Sequence, residues 1–256
     1  MANPSIHHLK VSSKSLLTRH MTRVVLEGPS LADFPVGFEG GYVKLVLPRP
    51  AGYDASALDP NVDSAALCRR SFTVRAFDRE ARRLVLDFVV AEHPGAASDW
   101  FRAAKVGDEV LVSGPGPVKS LVPETDWILL VADMTALPAL SVQLERLPGN
   151  ARGMAVIEVL SEADHQKLIA PEHVKIHWVI TPNVTASRLA DVVREQPWHA
   201  GRVSFWAACE FGTMKKLRRY FFEERGLSPD DGYLSSYWKI AATDEQHKAA
   251  KRADSC

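Results

Sequence analysis

The chain has 256 residues, 46% of them apolar, and its 31 Lys and Arg balance 31 Asp and Glu. Such a length suits one large domain or two smaller ones with ordinary cores. A formal net charge of zero excludes a nucleic-acid protein held by phosphate contacts over a broad surface, and leaves room for a local basic pocket.

The first half reads as strands. Ile6 to Leu17 and Met21 to Leu26 are β-rich pieces around a polar turn, and Tyr42 to Leu47 is a third, closed by Pro48 and Pro50. A loop runs from Ala51 to about Ala66, followed by strands at Arg70 to Phe77, Arg83 to Ala91 and Asp108 to Ser113. Short strands punctuated by turn residues predict a small antiparallel barrel, interrupted by a helix near Ala96 to Ala104. Gly114-Pro115-Gly116-Pro117 ends that region.

Beyond Pro123 the rhythm changes. Trp127 to Val131 is a continuous apolar run, as expected of a strand buried on both faces. A helix fits Leu137 to Arg146. Strands fit Met154 to Leu160, His173 to Ile180 and Val203 to Ala208, with helices at Ala186 to Glu195 and, strongly basic, Met214 to Arg225. Alternating strands and helices predict a parallel sheet with crossovers. The expected domains are residues 1–118 and 124–240, with a polar tail over 241–256 that is either a surface helix or partly disordered.

Several stretches carry chemistry. In Arg70-Ser71-Phe72-Thr73, guanidinium, hydroxyls and an aromatic ring lie close together, which suits a cofactor with a diphosphate and a flat ring. The same pattern equally suits an edge strand with solvated arginines. In Gly95-Ala96-Ala97-Ser98-Asp99-Trp100, small residues open a helix, where free N–H groups bind anions; Ser98 or Asp99 as a plain helix cap explains it as well. Thr135 sits at the carboxyl end of the Trp127 strand, where open α/β sheets bind ligands. No Gly-x-Gly-x-x-Gly follows that strand, which argues against an ordinary Rossmann dehydrogenase. Lys44 inside an apolar strand needs a reason, whether an anionic ligand or a side chain that snorkels to water. Cys209 has no His beside it in sequence and reads as a buried, small apolar group rather than a nucleophile. The Lys215 to Arg219 run is a solvated face or a site for phosphate or an acidic donor protein.

Five segments, from Lys44 to Lys239, together resemble the siderophore-interacting proteins, which are flavin-dependent ferric-siderophore reductases within the ferredoxin-reductase-like superfamily. Arg70-Ser71-Phe72-Thr73-Val74-Arg75 is similar to their Arg-x-Tyr-Thr-Val-Arg, with Phe72 keeping the ring but losing the phenolic hydroxyl. Gly95 to Trp100 resembles Gly-Pro-Ala-Ser-x-Trp, with His93 an approximate match to a family His. Asp133-Met134-Thr135-Ala136-Leu137-Pro138-Ala139 resembles Asp-Glu-Thr-Ala-Leu-Pro-Ala, Met134 replacing Glu. Ala208-Cys209-Glu210 stands where Ala-Gly-Glu is usual, and Gly232 to Lys239 resembles the terminal Gly-Tyr-Trp-Arg/Lys segment.

The resemblance implies an antiparallel Greek-key flavin-binding β-barrel followed by a Rossmann-like α/β domain of the nicotinamide-reductase type. It implies FAD held by Arg70, Ser71, Phe72, Thr73, Asp87, Phe88, Val89, His93, Ala96, Ala97, Ser98, Trp100 and Thr135. Lys44, Lys239, His247 and Lys248 are the candidates for binding a ferric siderophore, with Lys44 and Lys239 flanking it between the domains and His247 adding charge at lower pH. The electron donor is NADH, NADPH or a reduced ferredoxin, and no side chain is needed as acid or base. Open alternatives are a flavin reductase with another acceptor (free flavin, a quinone or a ferredoxin partner) and a non-enzymatic siderophore-binding protein.

Other signals are missing. Cys68, Cys209 and Cys256 form no Cys-x-x-Cys, and His173 with His177 lacks a third ligand, so no metal site is expected. No signal peptide or membrane-spanning run is recognisable. A cytoplasmic monomer without membrane or nucleic-acid partners is the expectation.

Overall fold

The computed structural model describes residues 5–48, 67–90 and 95–254. The chain divides into two units, Met1–Val118 and Lys119–Cys256.

The first unit contains strands β1 (Ile6–Thr18), β2 (Met21–Glu27), β3 (Tyr42–Pro48), β4 (Leu67–Thr73), β5 (Ala76–Asp78), β6 (Arg83–Val89) and β7 (Glu109–Gly116). Helix α1 (Ala96–Ala103) lies between β6 and β7. The strands form one antiparallel sheet in the order β4-β3-β7-β1-β2-β6-β5. Side chains alternate across it. Val43, Leu45 and Leu47 of β3 and Leu84, Leu86 and Phe88 of β6 turn to one core, which Trp100 and Phe101 of α1 plug.

The strand expected over Arg70 to Phe77 is broken. β4 stops at Thr73 and β5 starts at Ala76, at opposite ends of the sheet order. The two residues between them close the curl. Val74 donates to the Gly41 carbonyl at 2.9 Å and accepts from Gly40 N–H at 2.8 Å, on the β3 side, while Arg75 N–H donates to the Val85 carbonyl of β6 at 2.9 Å. One chain segment thus ties the β3 side to β6 and curls the sheet.

The second unit holds β8 (Trp127–Ala132), β9 (Gly153–Val159), β10 (Val174–Ile180), β11 (Val203–Glu210) and β12 (Gly232–Trp238), all parallel, in the order β10-β9-β8-β11-β12. Every residue of β8 and β11 is buried, which explains the unbroken apolar run of β8 and the predominantly apolar β11. Helices α2 (Leu137–Glu145), α3 (Leu189–Glu195), α4 (Phe211–Arg218) and α5 (Asp244–Asp254) complete it.

Two helix limits differ from those predicted. α3 begins at Leu189 rather than Ala186, because the Glu158 carboxylate accepts the Ser187 hydroxyl and the Arg188 N–H and fixes the entry. The basic helix begins at Phe211, where Glu210 accepts the Thr213 N–H as its cap, and continues beyond Arg218 as a π-helical turn over Arg219–Glu224. The polar tail is helical and bound to its own unit. Arg218 grips Asp254 through two hydrogen bonds at 2.6 and 2.9 Å, Ser236 Oγ pairs with His247 Nε2 at 2.8 Å, and Lys251 reaches Ser235 and the Ser236 carbonyl.

The parallel sheet depends on close backbone approach. A Cβ on Gly153, where φ is +144°, would lie 2.0 Å from the Ile128 carbonyl oxygen; one on Gly232 would lie 2.0 Å from that of Phe205. Gly153→Ala and Gly232→Ala are each expected to destabilise the second unit by roughly 1–3 kcal/mol, the usual cost of overpacking. Gly149→Ala, where the added carbon meets nothing within 4 Å, is the control. Calorimetric melts showing no difference among the three would refute this account.

Candidate functional site

Register decides what the β4 strand offers. Val43 pairs with Phe72, Lys44 with Ser71 and Leu45 with Arg70. Phe72 and Arg70 therefore share the face of Val43 and Leu45, while Ser71 and Thr73 share the other face with Lys44 and Tyr42. The cation, ring and hydroxyls predicted to act together are split between two faces of one strand. Phe72 is half-buried, with its ring edge-on to Phe101 at 4.8 Å and to Phe88 at 6.5 Å. Arg70 is half-buried, Ser71 exposed and Thr73 buried.

Of the β6 candidates, Asp87 is already committed. Arg23, opposite it on β2, forks onto both carboxylate oxygens at 2.7 Å, and Arg75 Nε lies 3.9 Å away. Its side chain holds the sheet rather than a ligand. Phe88 and Trp100 are buried in the core. Val89 is half-buried at the strand end, and β5 pairs with β6 only over Arg83 to Val85, so among the described residues no strand covers the outer edge of Asp87 to Val89. His93 lies outside the described residues.

Helix α1 opens with Gly95 as a cap that supplies no side-chain hydrogen bond, so Ser98 and Asp99 are not caps; Asp99 pairs with Arg102 at 2.7 Å instead. A Cβ at Gly95 would meet nothing within 4 Å. Ala96, Ala97 and Ser98 thus present first-turn N–H groups behind small side chains, on the unit that also carries Arg70 and Phe72. Open N–H groups, a guanidinium and a half-buried ring are the donor set a flavin dinucleotide requires, and these residues fit it.

In the second unit, the order β10-β9-β8-β11-β12 puts the topological switch point between β8 and β11. Thr135 and Cys209 lie at the carboxyl ends of these strands. Thr135 donates both its N–H and its hydroxyl to Asp133 Oδ1 at 2.9 and 2.6 Å, while Trp238 Nε1–H donates to Oδ2 at 2.7 Å. Burial raises the Asp133 pKa, opposed by these bonds. Glu210 is spent on the Thr213 and Ile240 N–H groups, and Glu158 on Thr181, Ser187 and Arg188. Met134 is buried, so no carboxylate replaces the one it displaces.

Cys209 is fully buried, and burial together with the charges of Asp133, Glu210 and Glu158 pushes its thiol well above the usual range. It is not a nucleophile. Among the described residues, no group of three or more His, Cys, Asp or Glu is placed to hold a metal ion. No helix among them is long and apolar enough to cross a membrane.

The four substrate candidates separate into two pairs. Lys44 and Lys239 are half-buried, and neither forms an ion pair among the described residues. The Lys44 ammonium lies 5.8 Å from the Tyr42 ring centre and that of Lys239 lies 5.0 Å from the Phe211 ring. Lys248 is instead exposed and paired with Asp244 one turn earlier. His247 is buried, with Nε2 bonded to Ser236 Oγ, and its pKa is lowered by burial and by Lys251. His247 thus takes part in the docking of α5, while Lys248 pairs within the helix itself. The missed neighbour is Tyr42, two residues before Lys44 and hence on its face; that period-2 spacing was the available signal.

Comparisons with known proteins agree on one family. Residues 10–119 match the model of the siderophore-interacting FAD-binding domain, and residues 125–241 that of the siderophore-interacting protein. An uncharacterised protein of Mycobacterium tuberculosis is 33% identical over 98% of this chain and 96% of its own length. The ferric vibriobactin reductase ViuB of Vibrio cholerae is 27% identical over 91% of this chain and 89% of its own. The crystal structure of the siderophore-interacting protein SipS from Aeromonas hydrophila superposes with a TM-score of 0.86 at 30% identity, covering 99% of this chain and 98% of that one.

Two measurements check the site. Alkylation by iodoacetamide at pH 8, read by mass spectrometry, should spare Cys209 in the folded protein and modify it after denaturation; ready labelling of folded protein would contradict its burial. The second concerns α5. His247 has a folded pKa below its free value of 6.5, so above that value both docked and released forms are neutral and nothing is lost. As pH falls below 6.5 the released form takes up a proton that the docked form resists, so docking weakens. The Arg218–Asp254 pair, whose carboxyl is held below its usual 3.8, does not titrate until lower pH. The protection factors of the amides over residues 244–254, each rate referred to the intrinsic rate at the same pH, should therefore fall from pH 7.5 to 5.5, and His247→Gln should flatten that dependence. An unchanged slope in the variant would assign the effect elsewhere.

Proposed function

The chain belongs to the siderophore-interacting protein family and is a flavin oxidoreductase, and from that premise we propose that it reduces ferric siderophores, releasing the metal by one-electron reduction of Fe(III) to Fe(II) in the cytoplasm. The observation that supports this reading best is the pair of half-buried lysines, Lys44 and Lys239, each set against an aromatic ring with no carboxylate partner among the described residues. A partly desolvated cation without a counterion favours an anionic ligand, and ferric chelates built on catecholate or carboxylate oxygens are anionic.

In this reading Arg70 and the first-turn N–H groups of Ala96, Ala97 and Ser98 hold the FAD diphosphate, while Phe72 and the uncovered edge of Asp87 to Val89 bound the ring. Bound FAD would take electrons from NADH, NADPH or a reduced ferredoxin and pass them on singly. Lys44 and Lys239 would draw in the chelate and balance its charge. No side chain need move a proton, since ferrous iron is a softer acid than ferric iron and leaves oxygen ligands more readily. The buried, committed state of Asp133, Glu158, Glu210 and Cys209 accords with that.

The deciding experiment is anaerobic. The flavin-loaded protein is reduced with each donor in turn, a ferric siderophore is added, and Fe(II) is trapped with a chromogenic chelator at two irons per flavin. Reoxidation without Fe(II) would sink the proposal. Arg70→Ala should weaken FAD retention by roughly 1.5–3 kcal/mol, the worth of a charge-assisted contact; wild-type retention would remove Arg70 from the flavin site. Lys44→Ala or Lys239→Ala should raise the apparent KM for an anionic chelate about fivefold, the effect of about 1 kcal/mol, and leave the donor's reduction of the flavin unchanged. An unaltered KM in both variants would place the substrate elsewhere.

A further inference from the structure

Tyr42 is 37% exposed, an unusual degree for a tyrosine on a regular strand beside a half-buried cation. Its position is fixed from beneath. Tyr42 pairs with Gly116 of β7, and a Cβ on Gly116 would fall 2.1–2.5 Å from the ring atoms Cζ, Cε1 and Cε2. The ring therefore lies face-on against the bare glycine. Any side chain at 116 would lift it.

The surroundings are chemically specific. Lys44 lies two residues along β3 on the same face, its ammonium 5.8 Å from the Tyr42 ring centre. Ser71 of β4 and Ser113 of β7 flank Lys44 in register on its two sides. Ser71 is exposed. The patch combines one flat ring, one cation lacking a carboxylate partner among the described residues, and neighbouring hydroxyls. A fixed ring costs little entropy to stack upon, and stacking beside a cation suits a flat ring that bears negative charge.

We propose that Tyr42, held flat by Gly116, is a specificity-determining residue that selects chelates whose iron ligands are aromatic rings, of the catecholate class, over aliphatic ones. The proposal rests on the reading that Lys44 contacts the chelate. Lys44 supplies charge attraction to any anionic complex; Tyr42 adds a stacking surface that only an aromatic ligand can use.

The test uses gallium(III), which matches ferric iron in charge and ligand preference but is not reduced. Binding of gallium tris-catecholate (anionic and aromatic) and gallium citrate (anionic and aliphatic) is titrated calorimetrically against flavin-loaded protein. Tyr42→Leu should weaken the catecholate complex about three- to tenfold, the range of one aromatic pair, and leave citrate unchanged. Tyr42→Phe should behave as wild type. Gly116→Ala, which displaces the ring without touching a charge, should reproduce the Tyr42→Leu loss. Lys44→Ala should weaken both complexes. Equal effects of Tyr42→Leu on the two complexes, or none, with Lys44→Ala still weakening both, would overturn the role of Tyr42 and leave the substrate site standing. Lys44→Ala without effect on either complex would overturn the site and the selectivity together.

Discussion

The pairing of β3 with β4 is the constraint on which the first unit depends. Val43 opposite Phe72 and Lys44 opposite Ser71 assign every side chain of both strands to a face. A slip of one residue in β4 would turn Ser71 inward and Phe72 outward, so the buried face fixes the register strongly. Core packing thereby performs a functional task. It carries Arg70 and Phe72 on one face and Lys44 with Tyr42 on the other, one strand spacing apart. The break at Val74 and Arg75 follows from the same closure, because the chain must leave β4, beside β3, and reach β6 within two residues.

The second unit handles polar groups differently. The carboxyl ends of β8, β9 and β11 bring Asp133, Glu158 and Glu210 out of water, and each is satisfied by N–H or hydroxyl donors, from its own turn for Asp133 and Glu210 and from distant segments for all three. A buried carboxylate with every bond made is a structural fastener, since removing any donor leaves a desolvated charge. The edge that open α/β sheets use for ligands is thus built from pre-satisfied carboxylates, and Cys209 among them is kept as a neutral thiol. Such a site suits electron transfer, which demands placement and exclusion of water but no proton relay.

Much of this was legible in the sequence, for identifiable reasons. The apolar run from Trp127 to Val131 marks a strand covered on both faces, and the Pro and Gly cluster at 114–117 marks a change of architecture. Strand and helix order followed from periodicity, except that β4 and β5 read as one strand and β12 was not expected. What periodicity does not encode is partnership at a distance. Asp87 looks like any carboxylate on a strand until the β2–β6 register sets Arg23 opposite it. His247 looks like a free charge on a polar tail until α5 docks on β12. The Tyr42 ring looks like one more β-former until Gly116 is seen beneath it. In each case the missing information is a contact between residues many positions apart.

Partnership is also what separates functional charge from structural charge in this chain. The buried carboxylates Asp87, Asp133, Glu158 and Glu210 are each matched to donors that the fold supplies, and their free energy is already committed to holding it. Lys44 and Lys239 are not so matched: an aromatic ring stands where a carboxylate would otherwise neutralise them. A ring softens the cost of desolvating an ammonium without cancelling its field, so the charge remains available to an incoming anion. A carboxylate in the same place would stabilise the apo protein more and bind the chelate less. An ammonium set against a ring rather than a carboxylate is a feature that side-chain identity alone does not carry.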